Sequence, residues 1–272
     1  MVQEARRPSS PALAPLVSWI GYHQGRFAHA RERTLATGGM QLLVNLADDE
    51  LWWHPDGAAE GQRTAGAAVQ GPDSRPGVVD PAHQRAIVWV SFRPGGAWPF
   101  LPLPASELRN QLVGLDDLWG PAGVALRERL LATPTPAGKL RVVEAALLAR
   151  VVRPLAPDPA VAVATAALHR GATVAEVSDR LGWPRQRLAR HFAERIGLTP
   201  KRFARVRRFQ RLLGSVTAGG GYGNGGVDWA RLAVESGYHD QAHMIHDFHA
   251  FAGMCPTAYA PRSPAEQNHV PL

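Results

Sequence analysis

Gln186 and Arg190 stand four residues apart, and Gln241, Ala242 and His246 cluster at a second place in the chain. A glutamine amide can bond two-fold to an adenine edge and a guanidinium to guanine, while a small apolar side chain can meet a thymine methyl. Their neighbours suit a second chemistry. Arg185, Arg187, Lys201, Arg202, Arg207 and His243 can meet phosphate oxygens, which position a protein on a duplex without reading it. The alternative for Gln186 and Arg190 is a phosphate contact alone; for Ala242 it is simple filling. Helical phase supports the division. Where Leu188 and Phe192 turn inward, Gln186 and Arg190 lie on the other side. Where Met244 and Phe248 turn inward, Gln241 and Ala242 occupy the first turn and His246 lies one turn on.

A pattern written twice positions both groups. The first copy is Gly182-Trp183, Phe192, Gly197, Pro200 and Phe203; the second is Gly237-Tyr238, Phe248, Gly253, Pro256 and Tyr259. From the Phe onward the spacings coincide: five residues to Gly, eight to Pro and eleven to the aromatic. Such repetition fixes architecture before finer signals do. Thr173-x-x-Glu176 is a capping box, and Gly182 closes the helix it opens. Helix, turn and second helix make a helix-turn-helix, and Asp228 can cap the equivalent start in the second copy. Between the copies, Thr199 caps and Pro200 opens a helix that runs to about Leu213, a rod of roughly 20 Å. Ala218–Gly226, with six Gly in nine residues, predicts a flexible insertion.

Charge points the same way. The chain of 272 residues carries a net charge of +7. Residues 158–262 hold 14 Lys/Arg against 8 Asp/Glu, whereas the remainder is nearly balanced. Within 185–211, ten basic residues accompany one acid, Glu194. This concentration has the character of a nucleic-acid footprint, the alternative being a solvated basic face. One cysteine, Cys255, excludes an internal disulfide framework and a multi-Cys zinc site. It fits a reducing cytoplasm, and no apolar run approaches the roughly 18 residues of a membrane span. We therefore expect a cytoplasmic protein with no membrane partner. His239, His243, His246 and His249 have helical spacing, but no Cys or Glu completes a metal site, so we expect no metal. There is no Gly-x-Ser-x-Gly elbow and no phosphate-cradling Gly loop, so we expect no cofactor and no enzyme.

The N-terminal half differs in texture. Met40–Leu46, Leu51–His54, Val78–Val79 and Arg85–Phe92 are short apolar or alternating runs between Gly and Pro clusters, as in a sandwich or small barrel. Ala105–Val113, Val124–Leu131 and Lys139–Val152 predict helices. The apolar stripe Leu140, Val143, Leu147 and Val151 can pair two subunits or pack on the barrel; we expect pairing. Trp52, Trp53, Trp89 and Trp98 can line a pocket or fill a core. The expected organisation is a loose segment 1–15, a β-rich domain 16–120, helices and a Pro-rich linker 121–157, an all-α domain 158–262 and a loose tail 263–272. The fold class is α+β.

Residues 160–260 resemble the DNA-binding domain of the arabinose-regulator (AraC/XylS) family of transcription factors. The resemblance is carried by Gly197-Leu198-Thr199-Pro200-Lys201-Arg202-Phe203 through Arg211. It continues at Ala233, Gly237-Tyr238, Gln241 and His243 through Phe248, Gly253, Pro256 and Tyr259. It implies two helix-turn-helix units, joined by a helix, entering successive major grooves on one face of double-stranded DNA. The N-terminal half is similar to a cupin-like effector or oligomerisation domain, through Gly71-Pro72, Val90–Gly96, Leu103–Leu108 and Leu115–Gly120. That similarity implies a small-molecule effector or self-association as a homodimer. Two departures stand out. Pro184 replaces the Ser or Asp that often caps the first reading helix, and His246 replaces a frequent Arg. With Asp247 adding an acid nearby, we expect the second unit to bind more weakly and to grip better as pH falls toward 6. The competing functions are a β-barrel enzyme or DNA-repair fusion that merely docks through its helical half, and a non-specific architectural protein.

Overall fold

The computed structural model describes residues 2–219 and 226–272. The insertion expected at 218–226 therefore lies largely outside the described residues. The β-rich half runs through β1 (Val2–Arg6), β2 (Val17–Gln24), β3 (Glu32–Thr34), β4 (Gln41–Asn45), β5 (Glu50–Pro55), β6 (Gln62–Ala65), β7 (Ala67–Gln70), β8 (Gly77–Val79), β9 (Ala86–Phe92) and β10 (Leu112–Gly114). It ends in α1 (Leu115–Trp119), α2 (Pro121–Ala132) and α3 (Pro136–Ala149). The helical half contains α4 (Pro159–His169), α5 (Val174–Leu181), α6 (Arg185–Ile196), α7 (Pro200–Ala218), α8 (Trp229–Glu235) and α9 (Gln241–Ala252), followed by β11 (His269–Pro271). Among the described residues no helix is long and apolar enough to cross a membrane.

The strands form two antiparallel sheets, in the orders β1-β2-β9-β4-β7-β10 and β11-β3-β8-β5-β6. Successive side chains on a strand face opposite ways, so alternation assigns each residue a side. β9 buries Ala86, Val88, Val90 and Phe92 on one face. Ile20, Tyr22, Leu42, Val44 and Val69 join them in the main core, which α2 and α3 close through Leu126, Leu130, Leu140, Val143 and Leu147. Leu140, Val143 and Leu147 of the stripe are thus consumed inside the chain, and Val151 lies exposed beyond the end of α3. This corrects the expectation that the stripe pairs subunits.

Three other expectations fail for local reasons. The first residues are not loose: β1 pairs with Ile20–Gln24, and Glu144 accepts bonds from the Ser9 and Ser10 amides at 3.1 and 3.0 Å. Ala105–Val113 is not a helix. A single 3-10 turn at Ala105–Leu108 gives way to β10, with Asn110 at φ 55° between them. Nor is the tail loose, because β11 pairs with β3 and Val270 is buried.

The helical half is strung on α7. Phe203 joins Leu188, Phe192 and Val177 in one core; Val206, Phe209, Leu212, Leu213 and Val216 join Met244 and Phe248 in another. Serving both cores explains why α7 runs to Ala218 rather than ending near Leu213. Its 19 residues span about 28 Å.

Candidate nucleic-acid interface

Each copy of the repeat folds as one helix-turn-helix unit. Thr173 Oγ1 accepts from the Glu176 amide at 3.2 Å, and the Glu176 carboxylate accepts from the Thr173 amide at 2.7 Å, which starts α5. Gly182 then takes φ 61° and turns the chain into α6. The second unit opens at Asp228, whose carboxylate accepts from the Arg231 amide at 3.0 Å. The matched spacings have a physical meaning. Phe192 meets Phe203 edge-on at 5.3 Å, and Phe248 meets Tyr259 edge-on at 5.7 Å. Eleven residues carry the chain from one ring to its partner in both units, so each unit is locked by an equivalent aromatic pair.

That packing sets the phase of the exposed faces. α6 buries Leu188, Phe192 and Ile196 and leaves Arg185, Gln186, Arg187 and Arg190 exposed. Arg187 lies over the Trp183 ring at 4.2 Å, which steadies it beside the turn. α9 buries Met244, Phe248, Phe251 and Ala252 and leaves Gln241, Ala242 and His246 exposed. The two helices start differently. Pro184 gives α6 no side-chain cap, whereas Asp240 accepts from the His243 amide at 2.7 Å and caps α9. An uncapped start leaves the first amides of α6 to solvent or to an anion.

The cations of α7 behave differently from the sequence expectation. Lys201 is exposed, but Arg202 donates to the Ser74 carbonyl of the β-rich half and lies over Phe251. Arg202 is a contact between the two halves. Arg207 donates to His169 Nδ1 at 3.3 Å and is half-buried. His243 is engaged too. Arg208 donates to its Nε2 at 2.9 Å. Arg202, Arg207 and His243 are thus each engaged within the protein, whereas Arg185, Arg187 and Lys201 are exposed.

A buried charge cluster was missed altogether. Asp247 is fully buried; Arg205 donates to its Oδ1 at 2.6 Å and Arg208 to its Oδ2 at 3.0 Å. It therefore ties α9 to α7 and is not a free acid on the reading face, so it gives no electrostatic ground for weaker binding by the second unit. Phase was the available signal, because positions 244, 247, 248 and 251 share one side of the helix.

The β-rich half docks at the far ends of the reading helices. Gly197, at φ 83°, ends α6 where a Cβ would collide with Pro72 and the Ala105 carbonyl. Gly253, at φ 65°, ends α9 against Arg33, Asp56 and Pro76. The docked ends carry Ile196 and Ala252; the open ends carry Gln186 and Gln241. Of the indoles that could either line a pocket or fill a core, Trp52, Trp53 and Trp89 line a cavity between the sheets. Trp98 instead stacks on Arg153 at 4.0 Å near the linker.

Comparison with known proteins adds the following. The helix-turn-helix domain family HTH_18 matches residues 177–262, and a domain of unknown function, DUF6597, matches residues 5–114. No curated protein matches the chain. A 1.65 Å structure of ToxT from Vibrio cholerae covers 94% of this chain and 97% of its own, at 8% identity and a TM-score of 0.48. A structure of ToxT from strain SCE256 bound to an unsaturated fatty acid covers 88% and 93%, at 10% identity and a TM-score of 0.44. Likeness at this level leaves function to be argued from the chain's own residues.

Proposed function

Since the chain carries an AraC-type helix-turn-helix domain behind a domain of unknown function, we propose that it is a sequence-specific transcription regulator reading two successive major grooves of double-stranded DNA. The observation that carries this reading is the shared polarity of α6 and α9. Both present polar side chains at an exposed N-terminal turn, while their C-terminal ends are held against the β-rich half. Recognition helices of this class contact base edges with their N-terminal residues. Residues 158–262 form the DNA-reading domain and residues 16–120 the sensing domain. The cavity of about 470 Å³ between the two sheets is the place for a small-molecule effector. Val124 and Leu131 of α2 and Leu148 of α3 remain exposed and offer an apolar face to a second copy.

The test is to select bound genomic fragments and compete them with random DNA. Two protected major-groove patches about 10 base pairs apart on one face of the duplex are expected. A specificity ratio near one would instead make the protein architectural and defeat the proposal.

A further inference from the structure

Strand alternation sends Trp19 and His23 of β2, Trp89 of β9 and Gln70 of β7 to the face of the first sheet that looks at the second. Two glycines make room for indoles there. A Cβ at Gly21 would fall inside the Trp89 ring, and one at Gly77 would fall against the Trp53 ring. An indole is thereby laid close to the backbone of each facing sheet, and Trp19, 46% exposed, adds a third. Flat apolar walls on both sides favour a flat occupant.

Polar groups in the same walls refine the choice. His23 Nε2 and the Gln70 amide nitrogen are buried without a hydrogen-bond partner. Burial, with the Arg262 charge beside it, holds the His23 imidazole below its ordinary pKa, so the ring is neutral. The Gln70 nitrogen can only donate. An occupant with an oxygen acceptor would give the buried Gln70 donor the partner it lacks.

Charge excludes the ionised alternatives. Among the described lining residues, Arg262 is the sole guanidinium or ammonium, and it is already paired with Glu32 at 2.7 Å and with Glu266. Within the lining an anionic ligand finds no unpaired cation and meets Glu32, Glu266 and Asp73; Arg7, over the Trp19 ring at 5.3 Å, is not among the lining residues. A cation would suit the indoles but leaves the Gln70 donor unmet. We propose that the cavity takes an uncharged planar aromatic compound bearing an oxygen acceptor, an inference that rests on the β-rich half being an effector domain.

The experiment is calorimetric titration of the full chain, without DNA, with three isosteres. These are benzofuran-2-carboxamide, benzofuran-2-carboxylate and benzofuran-2-ylmethylammonium. The carboxamide should bind, and the two ions should bind at least tenfold more weakly. Gln70→Leu should weaken the carboxamide about tenfold and narrow its lead over the carboxylate. No binding by the carboxamide, or equal or tighter binding by either ion, overturns the proposal. So does a Gln70→Leu, His23→Phe double variant with unchanged carboxamide affinity. Because no DNA is present, the outcome is independent of the base-reading assignments. Carboxamide binding that leaves operator affinity unmoved would count against the effector role alone.

Discussion

Whether a basic or amide side chain serves DNA depends on what already holds it. Among the described residues, the side chains of Gln186, Arg190 and Gln241 have no hydrogen-bond partner within the protein, so a base edge would be their first. Arg190→Ala or Gln241→Ala should cost about 1–3 kcal/mol at one base position and leave random-sequence binding nearly unchanged. Competition across single-base operator variants checks this, and a uniform loss over all sequences would make those residues phosphate anchors. Lys201 and Arg202 are adjacent yet should separate. Lys201→Ala should weaken all sequences and lower the slope of log affinity against log salt by about one. Arg202→Ala should leave the slope unchanged, since that guanidinium is committed to Ser74. Salt titrations of the two variants side by side decide the matter.

At the level of elements, the second unit depends on Asp247. Removing one partner from a buried ion cluster leaves the others uncompensated. Arg205 and Arg208 keep some contact with solvent, which softens the loss. Asp247→Ala should therefore destabilise the second unit by about 2–4 kcal/mol, and Asp247→Asn by less. Urea unfolding monitored at α8 and α9 reports it; an unchanged midpoint would mean the cluster is dispensable. Asp247 also shows what was legible in advance and what was not. The helical units were legible because capping, glycine turns and the aromatic repeat are short-range signals; Thr173 with Glu176, and Phe192 with Phe203, lie within one unit. β9 was legible by alternation. The missed elements depend on distant partners. β1 exists because β2 offers it an edge, and β11 because β3 does. Leu112–Gly114 is a strand because it pairs with β7, a register no local pattern records. For the same reason, the contact of Arg202 with Ser74, 128 residues away, leaves no local signal.

At the level of the whole molecule, the C-terminal segment joins everything. After Tyr259 the chain crosses back to the β-rich half, where Arg262 and His269 both donate to the buried Glu32 of β3, as does His29. Gln210 of α7 donates to the Ala36 carbonyl at 2.8 Å and to Asn268 at 2.7 Å, so the strap is sewn to the connecting rod as well. Burial pushes the Glu32 carboxyl up, but the His269 hydrogen bond, the His269 and Arg262 charges and the His29 hydrogen bond outweigh it and hold the pKa at about 2. A carboxylate whose folded pKa lies below its unfolded value, here 4.5, contributes stability that is complete above that value. The contribution drains away as pH falls toward about 2, on the order of 3 kcal/mol in all. Acid should thus loosen the strap first. Between pH 4.5 and 3, the amides of Leu35, Arg262 and Leu272, which bond to Asn268, His269 and Arg31, should lose hydrogen-exchange protection. Those of α6 should not. Glu32→Gln should lack this acid dependence and show a looser strap already at pH 7. If wild type and Glu32→Gln lose protection in parallel as pH falls, Glu32 does not hold the strap, and the second unit owes its place on the barrel to apolar packing at Leu35, Ala36 and Val270.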